Sequence, residues 1–291
     1  MRIVPKAKEV TPVRPDFWFR TGRTGPSRLS IPTSTAIVPV SQEIAFLIQM
    51  IKNMRYGLLL ALNAGSLRPG VENDWEERTR KESELVALFH LMDPKKLELA
   101  DRLVELAAGT SDISLIAKTR QPDLEVVSLE LKPNPVEVGK SLARSLGITI
   151  SSQVGDLSRA EIPGGVWVAK HACGQLTDLI IDMWKQRTDS PLLFLMTCCH
   201  GSAKKSKPRY GLGVEEWKSL CQQSDWTGCS DPRKIEVGRR SMDRLDALRI
   251  DHLNRSPNVR AAIYSVEDVL DVLMIPHPPI FKGNIIVAER G

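Results

Sequence analysis

The chain of 291 residues is 42% hydrophobic and carries 40 Lys and Arg against 35 Asp and Glu, enough for one large α/β domain or one domain plus an extension. No apolar run approaches the ~18 to 20 residues of a membrane span, so a soluble, intracellular, cytoplasmic protein with no membrane partner is expected. Five cysteines (Cys173, Cys198, Cys199, Cys221, Cys229) form no CxxC pair, which argues against a disulfide framework and for reduced thiols.

The net charge of +5 is uneven. Residues 1–35 hold seven bases (Arg2, Lys6, Lys8, Arg14, Arg20, Arg23, Arg28) against Glu9 and Asp16, and the remainder is formally neutral. This stretch reads as a basic flexible arm, suited to phosphate contact or present as an ordinary solvated tail or organelle-targeting segment. From Val38 to Ala64 apolar residues at helical spacing predict a leading helix or two, ended at Gly65-Ser66-Leu67-Arg68-Pro69-Gly70. Asp74 to Met92 predicts a charged helix with Leu85, Leu88, Phe89 and Met92 on one stripe. Residues 36–95 are thus expected as a helical N-terminal extension and 96–291 as the main domain.

At Leu103-Val104-Glu105-Leu106 the period changes to that of a strand. Small residues, a helix and the strand Val126 to Glu130 follow, the opening of a βαβ unit. The alternation continues with a helix from Val136 to Leu146 ended by Gly147, and short strands at Ile148 to Ser151 and Val166 to Ala169. A helix from Leu176 to Trp184 precedes the strand Leu192 to Met196. Lys204 to Arg209 reads as a basic, proline-containing loop, with helices at Val214 to Gln223 and Ser241 to Leu253. Strands at Asn258 to Tyr264 and Asn284 to Ala288, around a helix near Val266 to Leu273, read as an antiparallel edge pair. The fold class expected is α/β, a Rossmann-like sheet with helices on both faces.

Glu105-Leu106-Ala107-Ala108-Gly109-Thr110-Ser111-Asp112 follows a strand and opens a helix. Ala107, Gly109 and Ser111 occupy the small positions that let backbone N–H groups approach a nucleotide. Glu130 ends the next strand, where an acid accepts hydrogen bonds from a ribose diol, and Asp156 follows the third. A nicotinamide enzyme competes for such a loop, but no hydride-transfer constellation such as Tyr-x-x-x-Lys is visible. This order of acids resembles class I S-adenosylmethionine-dependent methyltransferases. The resemblance implies S-adenosylmethionine as cofactor, with Glu105 near the methionine amino group, Glu130 on the ribose hydroxyls and Asp156 near the adenine.

Two further apolar runs end in reactive residues: Trp167-Val168-Ala169-Lys170-His171-Ala172-Cys173-Gly174, and Leu192 to Met196 followed by Thr197-Cys198-Cys199-His200-Gly201. Adjacent parallel strands deliver such clusters to one rim of a sheet. Methyl transfer to oxygen needs a positioned alcohol and a group that takes its proton, and Lys170, His171 and His200 suit those roles. No metal is expected: Cys198 and Cys199, as strand neighbours, should point in opposite directions, and no spaced ligand pair is present.

Lys170-His171-Ala172-Cys173-Gly174, Thr177-Asp178-Leu179 and Cys198-Cys199-His200 resemble the tRNA methyltransferase family that 2′-O-methylates nucleotide 4 of the acceptor stem. Ser224-Asp225-Trp226-Thr227 looks like that family's Ser-Trp-Ala-Thr stretch. Gly238-Arg239-Arg240 with Asp243-Arg244 falls where the family has a basic helix, so the resemblance spans roughly residues 78 to 290. Gly201 departs from the family's second His, and Ser202-Ala203-Lys204-Lys205 from its Arg-Cys continuation. The resemblance implies 2′-O-methylation of an RNA ribose, in tRNA, with Cys173, Cys199, Lys204, Lys205 and Arg240 toward the substrate. The alternatives are a methyltransferase acting on a protein or small molecule, and a non-catalytic RNA-binding relic of the fold.

Overall fold

The computed structural model describes residues 46, 48–50, 75–97, 100–275, 277, 280 and 283–291. The basic arm and most of the leading helical segment expected before residue 75 lie outside them. Seven strands form one sheet in the order β3-β2-β1-β4-β5-β7-β6. They are β1 (Arg102–Leu106), β2 (Glu125–Glu130), β3 (Ser151–Val154), β4 (Val166–Lys170), β5 (Leu192–Thr197), β6 (Val259–Ser265) and β7 (Asn284–Arg290). The first five run parallel, and β7 is antiparallel to both β5 and β6. The expected edge pair is therefore formed, with β7 inserted between β5 and β6. This is a Rossmann-like order, and it gathers the carboxyl ends of β1, β2, β4 and β5 on one rim.

Strand alternation divides the core in two. Leu103, Val126, Val166, Val168, Phe194 and Met196 face α1 (Trp75–Leu91), α3 (Asp112–Arg120), α4 (Pro133–Leu146) and α8 (Val266–Val272). Val104, Leu106, Trp167, Ala169, Leu193 and Leu195 face α5 (Gln175–Lys185) and α7 (Pro232–Asn254). Helix α1 and the short α2 (Pro94–Leu97) thus bury Leu85, Leu88, Phe89, Met92 and Leu97 in the same core as the sheet, so by packing they are part of the main domain. A satellite cluster of Ala203, Trp217, Leu220, Cys221 and Leu245 joins the 3₁₀ turn Gly201–Lys205 to α6 (Val214–Ser224) and α7. Among the described residues no helix is long and apolar enough to cross a membrane.

Two elements differ from expectation. Strand three occupies Ser151–Val154 rather than 148 to 151, because Gly147 at φ 68° closes α4 and the Ile148 N–H bonds back to Ala143. The strand is polar and mostly exposed, so no apolar alternation marks it. Helix α7 begins at Pro232 rather than at Ser241, capped by Asp231, whose carboxylate accepts the Arg233 N–H at 2.9 Å. Its first turns are charged, so apolar periodicity starts only near Met242.

Candidate active site

The loop after β1 takes an unusual backbone path. Ala107, Gly109 and Ser111 all adopt positive φ, at 53°, 54° and 61°. Left-handed backbone costs an L-residue roughly 1 to 2 kcal/mol, so the three small positions read from sequence share one conformational demand even where two are not glycine. The Ala108 N–H donates to Leu129 O at 3.0 Å and the Gly109 N–H to Glu130 Oε2 at 2.9 Å, tying the loop to the end of β2. Ser111 Oγ donates to Ser128 Oγ at 3.0 Å beneath it.

The site fits S-adenosylmethionine in two respects. A Cβ built on Gly109 meets no atom within 4 Å, so the backbone there is open to close approach. Beside it stands the partly exposed Glu130, an acceptor of the kind a ribose diol requires. Asp156 lies in the open after β3, where its carboxylate accepts the Ser158 N–H at 2.9 Å and O–H at 2.7 Å, which holds its pKa below the usual carboxylate value.

Glu105 is 3% exposed. By alternation it points to the α3 side of the sheet, and its Oε2 accepts the Ser114 N–H at 2.8 Å, satisfying a first-turn donor of α3. Burial pushes its pKa up to about 7, only partly offset by the hydrogen bonds from Ser114 and Ile113 and the charge of Lys170. Its carboxylate caps the helix under the loop, a role that the expected contact with the methionine amino group did not include.

At the end of β4 the structure brings Lys170 and His171 together and adds a residue the sequence reading missed. Lys170 Nζ and His171 Nε2 are 2.7 Å apart, and each lies 2.9 Å from Glu84 Oε2 on α1. Val166, Val168 and Lys170 share the face that α1 covers, which is why a carboxylate from that helix can reach the strand end. Glu84 is 1% exposed. Burial would raise its pKa, but contact with His171 and the charges of Lys170 and His171 outweigh this and hold it at about 2. The signal was present: Glu84 sits four residues before Leu88 on the apolar stripe of the helix. His171 has φ 61°, a costly conformation for a bulky residue, and keeps a third of its side chain exposed.

His200 does not join this rim, which corrects its expected catalytic role. It is fully buried, and its Nδ1 lies 3.1 Å from Arg249 Nη1. Burial, and then the Arg249 charge, lower its pKa to about 4, so the ring is neutral. Arg249 also donates to Asp178 Oδ1 and Asp246 Oδ1, both at 2.8 Å. Tyr210 Oη donates to Asp178 at 2.6 Å, and Thr197 Oγ1 and Asn284 Nδ2 donate to Asp246 at 2.7 and 3.0 Å. The Thr177-Asp178-Leu179 motif is thus structural: Asp178 anchors Arg249, and Thr177 Oγ1 donates to the Ala172 carbonyl. Nothing in the sequence marks this network, because Asp246 and Arg249 are two among the many charges of this helix.

Gly201 has a local cause. The backbone N–H groups of His200 and Gly201 donate to Asp225 Oδ1 at 3.2 and 3.1 Å, and a Cβ at position 201 would collide with Asp225 Oδ2. A second histidine there would require the Asp225 side chain to move off these two N–H groups.

The cysteines also differ from expectation. Strand β5 stops at Thr197, so strand alternation does not govern Cys198 and Cys199. Their sulfurs lie 3.4 Å apart, and Cys173 Sγ stands 3.1 Å from Cys198 and 3.8 Å from Cys199. The argument against joint ligation by Cys198 and Cys199 therefore fails.

Lys204 and Lys205 are exposed on the 3₁₀ turn after β5, and Lys207 is exposed in the loop beyond. Arg240 lies on α7 and pairs with Glu236 at 2.8 Å; its neighbours Arg239 and Arg244 pair with Glu267 and Glu216 at 2.7 and 2.6 Å. These three arginines of α7 are matched by acids.

Residues 80–206 match a family described as "Methyltransferase domain". The chain is 24% identical over 225 residues, 74% of its length, to a glutathione S-transferase C-terminal domain-containing protein of Xenopus laevis. It is 25% identical over 219 residues, 72% of its length, to the protein of that name from Mus musculus. It spans about a third of the length of these curated relatives (35% and 33%). Among solved structures, the plantazolicin methyltransferase BpumL in complex with SAH is similar at 8% identity and a TM-score of 0.45, covering 89% of this chain and 99% of that one. The strand order is that of a Rossmann-like α/β sheet, and residues 80–206 within it resemble a methyltransferase domain.

Proposed function

We propose that this chain transfers a methyl group from S-adenosylmethionine to an RNA ribose hydroxyl, with tRNA as the RNA. The observation that carries the reading is the convergence of Lys170, His171 and the buried Glu84 at the end of β4, next in the sheet to the strand that opens the positive-φ loop. The cofactor supplies an electrophilic methyl on its sulfonium sulfur. The chain's own groups do the rest: Glu130 and the Gly109 backbone hold the ribose side, and Lys170 orients the acceptor oxygen. His171, partly exposed and held by Glu84, takes up the hydroxyl proton as the new bond to carbon forms. Lys204, Lys205 and Lys207 supply exposed positive charge for phosphate contacts, consistent with a substrate read by shape and 2′-hydroxyl.

The matched arginines of α7 favour a second reading, in which the acceptor is a protein or small molecule. The test has two stages. Calorimetry should show binding of S-adenosylmethionine that weakens in Glu130→Ala. Labelled methyl groups should then enter total small RNA and appear, after nuclease digestion, in a 2′-O-methylnucleoside. Cofactor binding without incorporation into RNA selects the second reading. No cofactor binding makes the chain a relic of the fold.

A further inference from the structure

We propose that Cys173, Cys198 and Cys199 form a zinc site in which three thiolates fill three corners of a tetrahedron and the fourth faces solvent. The three sulfurs lie within 4.8 Å of one another, at separations of 3.1, 3.4 and 3.8 Å. Zinc–sulfur bonds of about 2.3 Å in tetrahedral geometry place ligand sulfurs about 3.8 Å apart, so small movements bring all three onto one ion. Trigonal coordination by the same bonds would require a wider spread of about 4.0 Å. Thiolates are soft ligands, and an all-sulfur set selects zinc or copper(I) over hard cations; the tetrahedral edge lengths favour zinc.

The sulfurs are placed by backbone rather than by chance packing. Cys173 belongs to the turn after β4, and Cys198 and Cys199 to the turn after β5. The first turn is tied to β5 by the His171 N–H to Met196 O at 3.1 Å, and to the second turn by the Gly174 N–H to Cys199 O at 2.7 Å. Cys198 is buried, Cys199 half-buried and Cys173 exposed, so the ion has a route in past Cys173 and a closed floor at Cys198. A bound ion would clamp the turn that carries His171 to the end of the neighbouring strand. This assigns Cys173 and Cys199 to metal ligation rather than to substrate contact, and it stands independently of which acceptor is methylated.

The test is the metal content of this 291-residue chain, purified with zinc present and then dialysed, by elemental mass spectrometry. About one zinc per chain is expected, falling at least about tenfold in Cys173→Ser, and unchanged in Cys229→Ser. Because Cys173 is exposed, that variant should keep the fold, checked by circular dichroism. Cobalt(II) in place of zinc should give thiolate-to-metal charge transfer and the strong visible absorption of a tetrahedral site, both absent in Cys173→Ser. Absence of stoichiometric zinc and of the cobalt spectrum, or a Cys173–Cys198 disulfide found by non-reducing peptide mapping of freshly purified protein, overturns the proposal.

Discussion

Glu84 Oε2 lies 2.9 Å from Lys170 Nζ, so a carboxylate of helix α1 is locked against the carboxyl end of β4. The same oxygen lies 2.9 Å from His171 Nε2. One buried group therefore fixes both residues proposed to handle the acceptor, and the first prediction concerns it.

Holding Glu84 at about 2 instead of the usual 4.5 is a stability statement. Its folded pKa is depressed, so the contribution is present above the unfolded value and lost as pH falls from about 4.5 toward 2. At neutral pH it amounts to about 3 kcal/mol. Glu84→Gln should lower stability by an amount of this order at pH 7 and flatten acid unfolding below pH 4.5, followed by circular dichroism. Methyl transfer should fall in kcat more than in cofactor affinity.

Glu105 has the opposite sign. Its folded pKa, about 7, is above the usual 4.5, so its contribution is full below about 4.5 and lost as pH rises through 7. Glu105→Gln keeps an acceptor for the Ser114 N–H without the buried charge. It should melt close to wild type at pH 5 and higher than wild type at pH 8, by up to about 3 kcal/mol of stability. Equal melting at both pH values would show that Glu105 ionises freely.

Gly109→Ala separates fold from binding. The added methyl meets no atom within 4 Å beyond its chain neighbours, and left-handed strain costs about 1 to 2 kcal/mol. The variant should fold, while its affinity for S-adenosylmethionine, measured by calorimetry, should fall roughly tenfold or more if the cofactor backs onto this residue.

Arg249→Leu leaves Asp178 and Asp246 buried without their cation, a loss of about 3 to 5 kcal/mol. Denaturant unfolding should report it. The pH profile of methyl transfer in any surviving folded enzyme should keep its shape, because the His200 cluster is structural.

Lys204→Ala with Lys205→Ala should reduce the slope of RNA affinity against salt by roughly 2 on logarithmic axes, without changing cofactor affinity. An unchanged slope would place RNA elsewhere or remove it as substrate.

What the sequence revealed follows from where side chains report on their surroundings. Buried strands such as Leu192–Thr197 and the loop around Gly109 were legible, since apolar runs and small residues are direct consequences of packing and backbone conformation. Strand β3 was misplaced because an exposed polar strand has no alternation to read. His200 and Asp178 were recognised as motif members, but whether a strand-end histidine faces a ligand or an arginine depends on α7, nearly fifty residues away. Glu84 was missed because its partners sit on another element entirely. The Cys198 and Cys199 pairing was misjudged by carrying strand geometry one residue past the end of β5.

The insertion of β7 between β5 and β6 has a consequence for biosynthesis. As the chain leaves the ribosome, β5 is made about ninety residues before the strand that pairs with its outer edge. Until Asn284–Arg290 arrives, the outward-facing N–H and C=O groups of Leu192–Thr197 are unsatisfied, and Asn284 is not yet in place to hold Asp246. Nascent chains paused before this point should engage holdase chaperones, and docking of β7 should be the late event that makes the sheet protease-resistant.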